Sequence, residues 1–293
     1  VRVAITGGSG FVGTHLTRML TDSGHQVVVI SRGTKRRPRR ANVSFVKADL
    51  TDSPVLVDAF GGCDAVIHLV AVIRERGRQT FQRVNAEASE RVADAARQAK
   101  VPHLIHQSAI GADPDPRYPY LASKWQGEQA VRGSGVPYTV FRPSLIFGPG
   151  DGFFTLLTRL IRRNPVVPIP GDGQALFQPI AIEDVVRCYR IVLERGPQQA
   201  VHEIGGPEHL TYEELVLTIR RGLGLYRRTA HVPVRMMLPL AFVMDALLRS
   251  PPVTPQQLRL LERNNITRLD SVPAAFDFQP QRFADNLDYL EDY

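Results

Sequence analysis

A glycine-rich turn behind a short apolar run constrains this chain more than any other feature. Val3, Ala4 and Ile5 lead into Thr6-Gly7-Gly8-Ser9-Gly10-Phe11-Val12-Gly13, and from Phe11 to Leu20 apolar residues recur at helical spacing. Gly8, Gly10 and Gly13 satisfy G-x-G-x-x-G, and Gly7, Gly10 and Gly13 satisfy the wider G-x-x-G-x-x-G. Glycine is needed there because the backbone must turn tightly and approach a pyrophosphate with no Cβ in the way. The helix that follows turns its N-terminal N–H groups toward such an anion. A tight turn that holds no ligand is the competing reading. The strand before and the amphipathic helix after supply the context that dinucleotide binding requires.

The rest of the first half repeats that rhythm. Gly24 stops the first helix, and apolar runs at Val27–Ile30, Val43–Val46, Ala65–Val70, Leu104–His106 and Tyr138–Phe141 read as buried strands. Helical stretches lie around 53–60, 80–99 and 118–133. Continuous apolar strands alternating with helices predict an α/β fold, a Rossmann-like doubly wound parallel sheet covered on both faces. After about residue 144 the rhythm changes. Residues 148–152 and 168–173 read as loops, 183–194 as a helix and 201–204 as a strand, with helices near 211–223, 235–248 and 255–263. The expected division is residues 1–165 for an NAD(P)-binding domain, to which the strand near 201–205 returns, and residues 166–293 for a smaller mixed α/β substrate lobe. At 293 residues and 43% hydrophobic, both can hold a core without staples. Cys63 and Cys188 stand far apart and read as reduced core residues, which fits a cytoplasmic setting. No run approaches the roughly 20 apolar residues of a membrane span, and the opening strand pattern gives no expectation of a signal peptide.

The net charge of +7 is a local feature. Residues 1–50 hold nine Lys or Arg against two Asp, and the excess clusters at Arg32, Lys35, Arg36, Arg37, Arg39 and Arg40. Nucleic-acid binding would spread basic residues over a surface, so no nucleic-acid partner is expected and a local anion fits better. At the end of the second strand, where an acidic residue would select NAD, the chain has Ser31 and Arg32. An arginine there can pair with a 2′-phosphate by a charge-assisted fork. The reading is therefore NADP(H) in preference to NAD(H), carried by Ser31 and Arg32. Most of residues 35–40 reads as a solvated loop.

Tyr120-Leu121-Ala122-Ser123-Lys124 is a Y-x-x-x-K segment on a predicted helix, Ser108 lies twelve residues earlier, and Asn85 precedes the fifth strand. Asp49-Leu50 follows the third strand, His68-Leu69-Val70-Ala71 ends the fourth, and Arg142-Pro143-Ser144 ends the sixth ahead of Phe147-Gly148-Pro149-Gly150-Asp151. With the glycine turn, this ordering resembles the extended and atypical short-chain dehydrogenase/reductases, the NAD-dependent epimerase/dehydratase superfamily. Pro251–Gln257 and Phe276-Asp277-Phe278-Gln279-Pro280 resemble the branch related to the NADPH-binding accessory subunit of respiratory complex I. The resemblance implies that Gly7, Gly10, Phe11, Val12 and Gly13 contact the pyrophosphate and that Asp49 and Leu50 flank adenine. It implies that Leu69, Val70 and Ala71 pass beside the ribose and nicotinamide, and that Asn85 serves structure or a water relay. Tyr120 would be the acid or base, Lys124 its helper and a ribose ligand, and Ser108 the group that orients a substrate carbonyl or hydroxyl. A tyrosine with a pKa near 10 is a poor base at neutral pH. Lys124, at i+4, shares its helix face, and its charge together with that of an oxidised nicotinamide favours phenolate.

His68 and His106 sit in apolar strand runs and read as satisfied core histidines, and no metal is proposed. Met236–Met244 is unusually apolar and too short to span a bilayer. Residues 236–248 read either as a buried helix or as a greasy surface meeting lipid, a quinone-like substrate or a partner protein. Two function classes follow. One is an NAD(P)(H)-dependent oxidoreductase or sugar-nucleotide epimerase/dehydratase-like enzyme acting on a small molecule. The other is a cofactor-binding structural or assembly protein that never turns its dinucleotide over. The intact Ser108, Tyr120 and Lys124 favour the first.

Overall fold

The computed structural model describes residues 1–33, 41–248 and 253–293. The basic residues Lys35, Arg36, Arg37, Arg39 and Arg40, and Pro251 and Pro252, lie outside the described residues. The chain runs β1 (Arg2–Thr6), α1 (Phe11–Asp22), β2 (Gln26–Ser31), β3 (Val43–Lys47), α2 (Ser53–Phe60), β4 (Ala65–His68), a π-helical turn (Gln82–Glu87) that continues into α3 (Ala88–Gln98), β5 (Leu104–Gln107), α4 (Pro119–Gly133) and β6 (Tyr138–Pro143). Then come β7 (Ile146–Phe147), α5 (Phe153–Arg163), β8 (Val166–Pro170), β9 (Leu176–Phe177), β10 (Ile180–Ala181), α6 (Ile182–Arg195), β11 (Ala200–Ile204), β12 (Leu210–Thr211), α7 (Tyr212–Gly222), β13 (Arg228–Val232), α8 (Val234–Leu247), α9 (Pro255–Leu260) and α10 (Ser271–Phe276).

Two compact units emerge, Val1–Pro143 with Ile182–Glu203, and Ser144–Ala181 with Ile204–Tyr293. The first division thus falls after Pro143, where the sequence reading places it after 165. Ser144 already belongs to the second unit, where its hydroxyl donates to the Gln178 carbonyl.

The first unit is built on a seven-stranded sheet in the order β3-β2-β1-β4-β5-β6-β11. The pairs from β3 through β6 are all parallel, so the expected doubly wound sheet is present. Strand order reverses between β1 and β4, and that reversal is the crevice where sheets of this kind bind ligands, at the carboxyl ends of the strands. One face carries Ala4, Val28, Val66, Leu104 and Val140 in a single core with Leu56 and Phe60 of α2, Val92 and Ala96 of α3 and Val131 of α4. Side chains alternate with a period of two, so the next residues on this face toward the carboxyl edge are Thr6, His68 and His106. They are in register across the three strands. The face therefore changes from apolar to polar at the last residues of β1 and β4 and at the last but one of β5.

In the second unit, Phe147, Phe154, Ile161, Val167, Tyr212, Leu215, Ile219 and Phe283 form the core. The sequence reading omits α5, although Asp151 caps it by accepting from the backbone N–H groups of Phe154 (2.7 Å) and Thr155 (3.2 Å). Residues 168–173 were expected as loop, yet Val166–Pro170 is a strand paired in parallel with β13. β8 has β13 as its partner in a two-stranded sheet, and an edge strand tolerates the missing N–H groups of Pro168 and Pro170.

Candidate active site on the first unit

The glycine turn lies at the end of β1, next to the start of the segment after β4. Gly7 has φ +80°, and a Cβ there would sit 3.1 Å from the Val70 backbone nitrogen. A Cβ on Gly13 would sit 2.5 Å from Gly8 Cα, so α1 packs against the turn at a distance that only glycine permits. Gly10 begins α1 with no side-chain cap and no acidic residue follows in the first turn. The first-turn N–H groups of Phe11, Val12 and Gly13 are then left for an anion. The Phe11 ring packs edge-on against His15 at 5.6 Å, which leaves its backbone as the group facing the turn. This cradle fits a pyrophosphate.

Next along the same edge, Ser31 is half-buried at the end of β2 and Arg32 is exposed. With the Gln79 amide turned so that its oxygen faces the guanidinium, Arg32 donates to it at 2.7 and 3.2 Å. Asp49 accepts from the Thr51 N–H (3.0 Å) and hydroxyl (2.9 Å). Those bonds, with Arg32 and Arg83 nearby, hold its carboxyl below the usual carboxylate range. Arg32 and Asp49 are thus neighbours, and Gln79 and Arg83 join them without any motif to announce them. Leu50 turns inward and packs against the core. Leu69 continues from β4, its N–H donating to the Thr6 carbonyl at 3.1 Å, and Val70 and Ala71 follow at increasing exposure.

The catalytic candidates come from β5 and α4. Ser108 follows β5, its N–H donating to the Phe141 carbonyl at 2.7 Å. Its hydroxyl is buried, with the residue only 3% exposed, and has no hydrogen-bond partner among the described residues. It therefore bonds to neither Tyr120 nor Lys124. A buried unpaired hydroxyl costs free energy, so a group placed there by a ligand would be held. Lys124 is buried, and its Nζ donates to the Gln107 carbonyl at 2.5 Å. The Gln107 side chain is fixed by the Tyr189 hydroxyl, which donates to its Oε1 at 3.0 Å. Burial lowers the Lys124 ammonium to about 8, against the opposing pull of Glu128. Tyr120 packs edge-on against Phe81 at 5.8 Å, and burial of its hydroxyl raises the phenol to about 12. Desolvation sets that direction while the Lys124 ammonium donates to Gln107; the lowering expected from the sequence belongs to Lys124 acting together with an oxidised nicotinamide.

Behind these groups runs a buried polar network. Thr6 Oγ1 lies 2.6 Å from His68 Nδ1, and His68 Nε2 lies 3.1 Å from Ser89 Oγ, which donates to the Asn85 carbonyl at 2.7 Å. Asn85 accepts from the Val72 N–H at 2.8 Å and donates to the Val72 carbonyl and to Ser123 Oγ, both at 3.0 Å. Ser123 in turn donates to the Tyr120 carbonyl at 2.7 Å. The π-helical turn puts Asn85 in this position, and such turns recur at functional sites. Burial and the charge of Lys124 lower His68 to about 3. His106 stacks on His68 at 5.4 Å, but neither of its ring nitrogens has a hydrogen-bond partner among the described residues. Of the two expected core histidines, only His68 is satisfied.

The profile of the NAD dependent epimerase/dehydratase family matches residues 3–205. The chain belongs to that family. Its relatives bear out the enzyme class. The ceramide reductase of Caulobacter vibrioides is 36% identical, over 83% of this chain and 77% of its own length. The NADH dehydrogenase [ubiquinone] 1 alpha subcomplex subunit 9 of Arabidopsis thaliana is 24% identical, over 90% of this chain and 69% of its own, so the resemblance to a complex I accessory subunit also holds. In fold, the chain is similar to the UDP-glucuronic acid 4-epimerase from Bacillus cereus, solved with UDP-glucuronic acid and NAD. That structure has a TM-score of 0.76 and 20% identity, and the match covers 100% of this chain and 98% of the other.

Proposed function

We propose that this family member is an NADP(H)-dependent reductase of a carbonyl compound, with Ser108, Tyr120 and Lys124 as its catalytic set. The observation that carries the reading is the buried, unpaired Ser108 hydroxyl on the sheet edge that also holds the glycine cradle. Gly7, Gly10, Phe11, Val12 and Gly13 would hold the pyrophosphate, and Ser31 and Arg32 the 2′-phosphate, with Asp49 and Leu50 beside adenine. Leu69, Val70 and Ala71 would line the nicotinamide half, and Lys124 would reach its ribose. When bound, the nicotinamide supplies the hydride. The protein supplies the proton. A phenol at about 12 is protonated at neutral pH, which makes Tyr120 a donor to the carbonyl oxygen as that oxygen gains charge. Ser108 Oγ–H orients the same oxygen, and the Lys124 charge stabilises the phenolate left behind.

The likeness to ceramide reductase directs a substrate search first to long-chain lipid carbonyls, with sugar nucleotides as the second class. The test follows NADPH absorbance over that panel with the unmodified chain and with Tyr120→Phe. Turnover that falls by about 10²–10⁴ in the variant, with NADPH affinity nearly unchanged, is the expected result. Unchanged turnover overturns the assignment. A second reading, a dinucleotide-binding assembly protein without turnover, is favoured by the likeness to the NADH dehydrogenase subunit. It predicts NADPH binding with no substrate in either class.

A further inference from the structure

We propose that α8 is a lipid-docking helix that lays its outer face into a bilayer surface containing anionic phospholipid. The inference stands on the second unit and does not depend on the reductase reading. α8 is buried at Val234 and Ala241, which rest on Leu258 of α9 with Met237 and Leu238 partly covered. One turn divided by 3.6 residues sets each residue about 100° from the next. On that wheel, Met236, Leu240, Val243 and Leu247 fall within one narrow stripe opposite the buried one. They are 67, 62, 54 and 78% exposed. Pro239, Phe242 and Ala246 widen the stripe, and Arg235 is the one charged residue on this exposed arc. A helix face turned to water carries polar and charged residues, and this one carries almost none. Six of the eight large apolar side chains more than half exposed among the described residues lie between Tyr226 and Leu247.

Charge selects the occupant. Residues 220–248 hold five Arg (Arg220, Arg221, Arg227, Arg228 and Arg235) and a single acid, Asp245. Arg221, Arg228 and Arg235 are exposed. A second copy of this chain packed face to face would bring Arg235 of each copy onto an arc that offers no acid to pair it. A leaflet with anionic headgroups satisfies both features, with the apolar stripe entering the acyl boundary and Arg235, on the same arc, meeting phosphates in the field of the neighbouring arginines of the segment. The fully exposed Tyr226 ring suits the same interface. Fourteen residues reach about 21 Å, and no helix among the described residues is long and apolar enough to cross a membrane, so the helix lies in the surface.

The test is co-sedimentation of the whole chain with vesicles of phosphatidylcholine alone and of phosphatidylcholine mixed with phosphatidylglycerol. Binding to the mixed vesicles that weakens in salt is expected. It should fall about tenfold or more in Leu240→Asp with Val243→Asp, and in Arg228→Glu with Arg235→Glu. These positions are exposed, and unchanged circular dichroism melts of both variants would show that folding is intact. Failure to sediment with mixed vesicles, or binding that both variants retain, overturns the proposal. So does a concentration-dependent dimer in analytical ultracentrifugation that the aspartate variant abolishes, since the face would then belong to a second copy.

Discussion

Under the proposed function Arg32 is the side chain that would decide between two dinucleotides, and its surroundings sharpen what its replacement should do. It already shares a hydrogen bond with Gln79 and the field of Asp49, so it is positioned and yet exposed enough to take a phosphate. NADPH should bind more tightly than NADH, with a gap that narrows as salt screens the pair. Arg32→Asp should invert the order, because a carboxylate repels the 2′-phosphate and accepts from a ribose hydroxyl. Equal affinities in the unmodified chain, measured by fluorescence titration, would sink this assignment. Lys124 carries a prediction of pH dependence. Its folded pKa is lowered to about 8, so its charge is present below that value and lost as pH rises through it. Tyr120, at about 12, keeps its proton over the same range. The reductive rate should therefore be level below about pH 8 and decline above it, and a rate that stays flat to about pH 10 would remove Lys124 from the mechanism.

The polar network shows how an element, here a single π-helical turn, joins sheet and helices. Asn85 replaces the missing backbone partners of Val72 and reaches Ser123 on α4, while Gly127 lets that helix approach, since a Cβ there would sit 2.5 Å from the Asn85 carbonyl oxygen. Asn85→Ala would strand the Val72 N–H and C=O in a half-buried setting, at a cost of about 1–3 kcal/mol. Urea unfolding should show that loss, accompanied by slower turnover because Ser123 also holds the Tyr120 backbone. A variant as stable as the parent would show the network to be dispensable. The sequence made much of this legible. Glycine spacing located the cradle, and apolar runs located six strands, five of them because a strand buried on both faces has to be continuously apolar, while β3 is a half-exposed edge strand. It did not show the π turn, since one extra residue in a helix leaves no compositional mark. Gln79 and Arg83 lack any motif and are neighbours of Arg32 only through the fold. α5 was legible in principle, with Phe154, Leu157 and Ile161 at helical spacing behind Asp151, but the preceding Gly148–Gly152 stretch reads as loop. Pro168 and Pro170 hid β8 for the reason that confines it to an edge.

For the whole molecule, the apolar-to-polar change along one sheet face has a consequence for acid stability. Among the described residues of the first unit three histidines are buried, His68 and His106 on that face and His103 just ahead of β5, and burial lowers all three. His68 falls to about 3, His103 to about 4, and His106 well below its ordinary value, with Lys124 and His68 adding to the effect. In the unfolded chain each would titrate near 6.5. Between that pH and the folded values, the unfolded state binds protons that the native state refuses, so stability is complete above about 6.5 and is lost as pH falls. Each group contributes up to about 1.4 kcal/mol per pH unit over its own window, against a total of about 5–15 kcal/mol for an ordinary domain. The first unit should therefore lose several kcal/mol between about pH 7 and about pH 4. Trp125, the single tryptophan of the chain, lies in α4 of this unit and reports its unfolding in urea by fluorescence. His106 offers the decisive substitution. Its ring stacks on His68 and its nitrogens have no partner, so His106→Phe keeps a ring in place and leaves no polar group unpaired. The variant should match or exceed the parent at about pH 7 and lose less as pH falls, because one proton-binding site is gone from the unfolded chain. An acid slope identical to that of the parent would mean that His106 does not contribute, and that the remaining titrating groups, His68 and His103 among them, set the response.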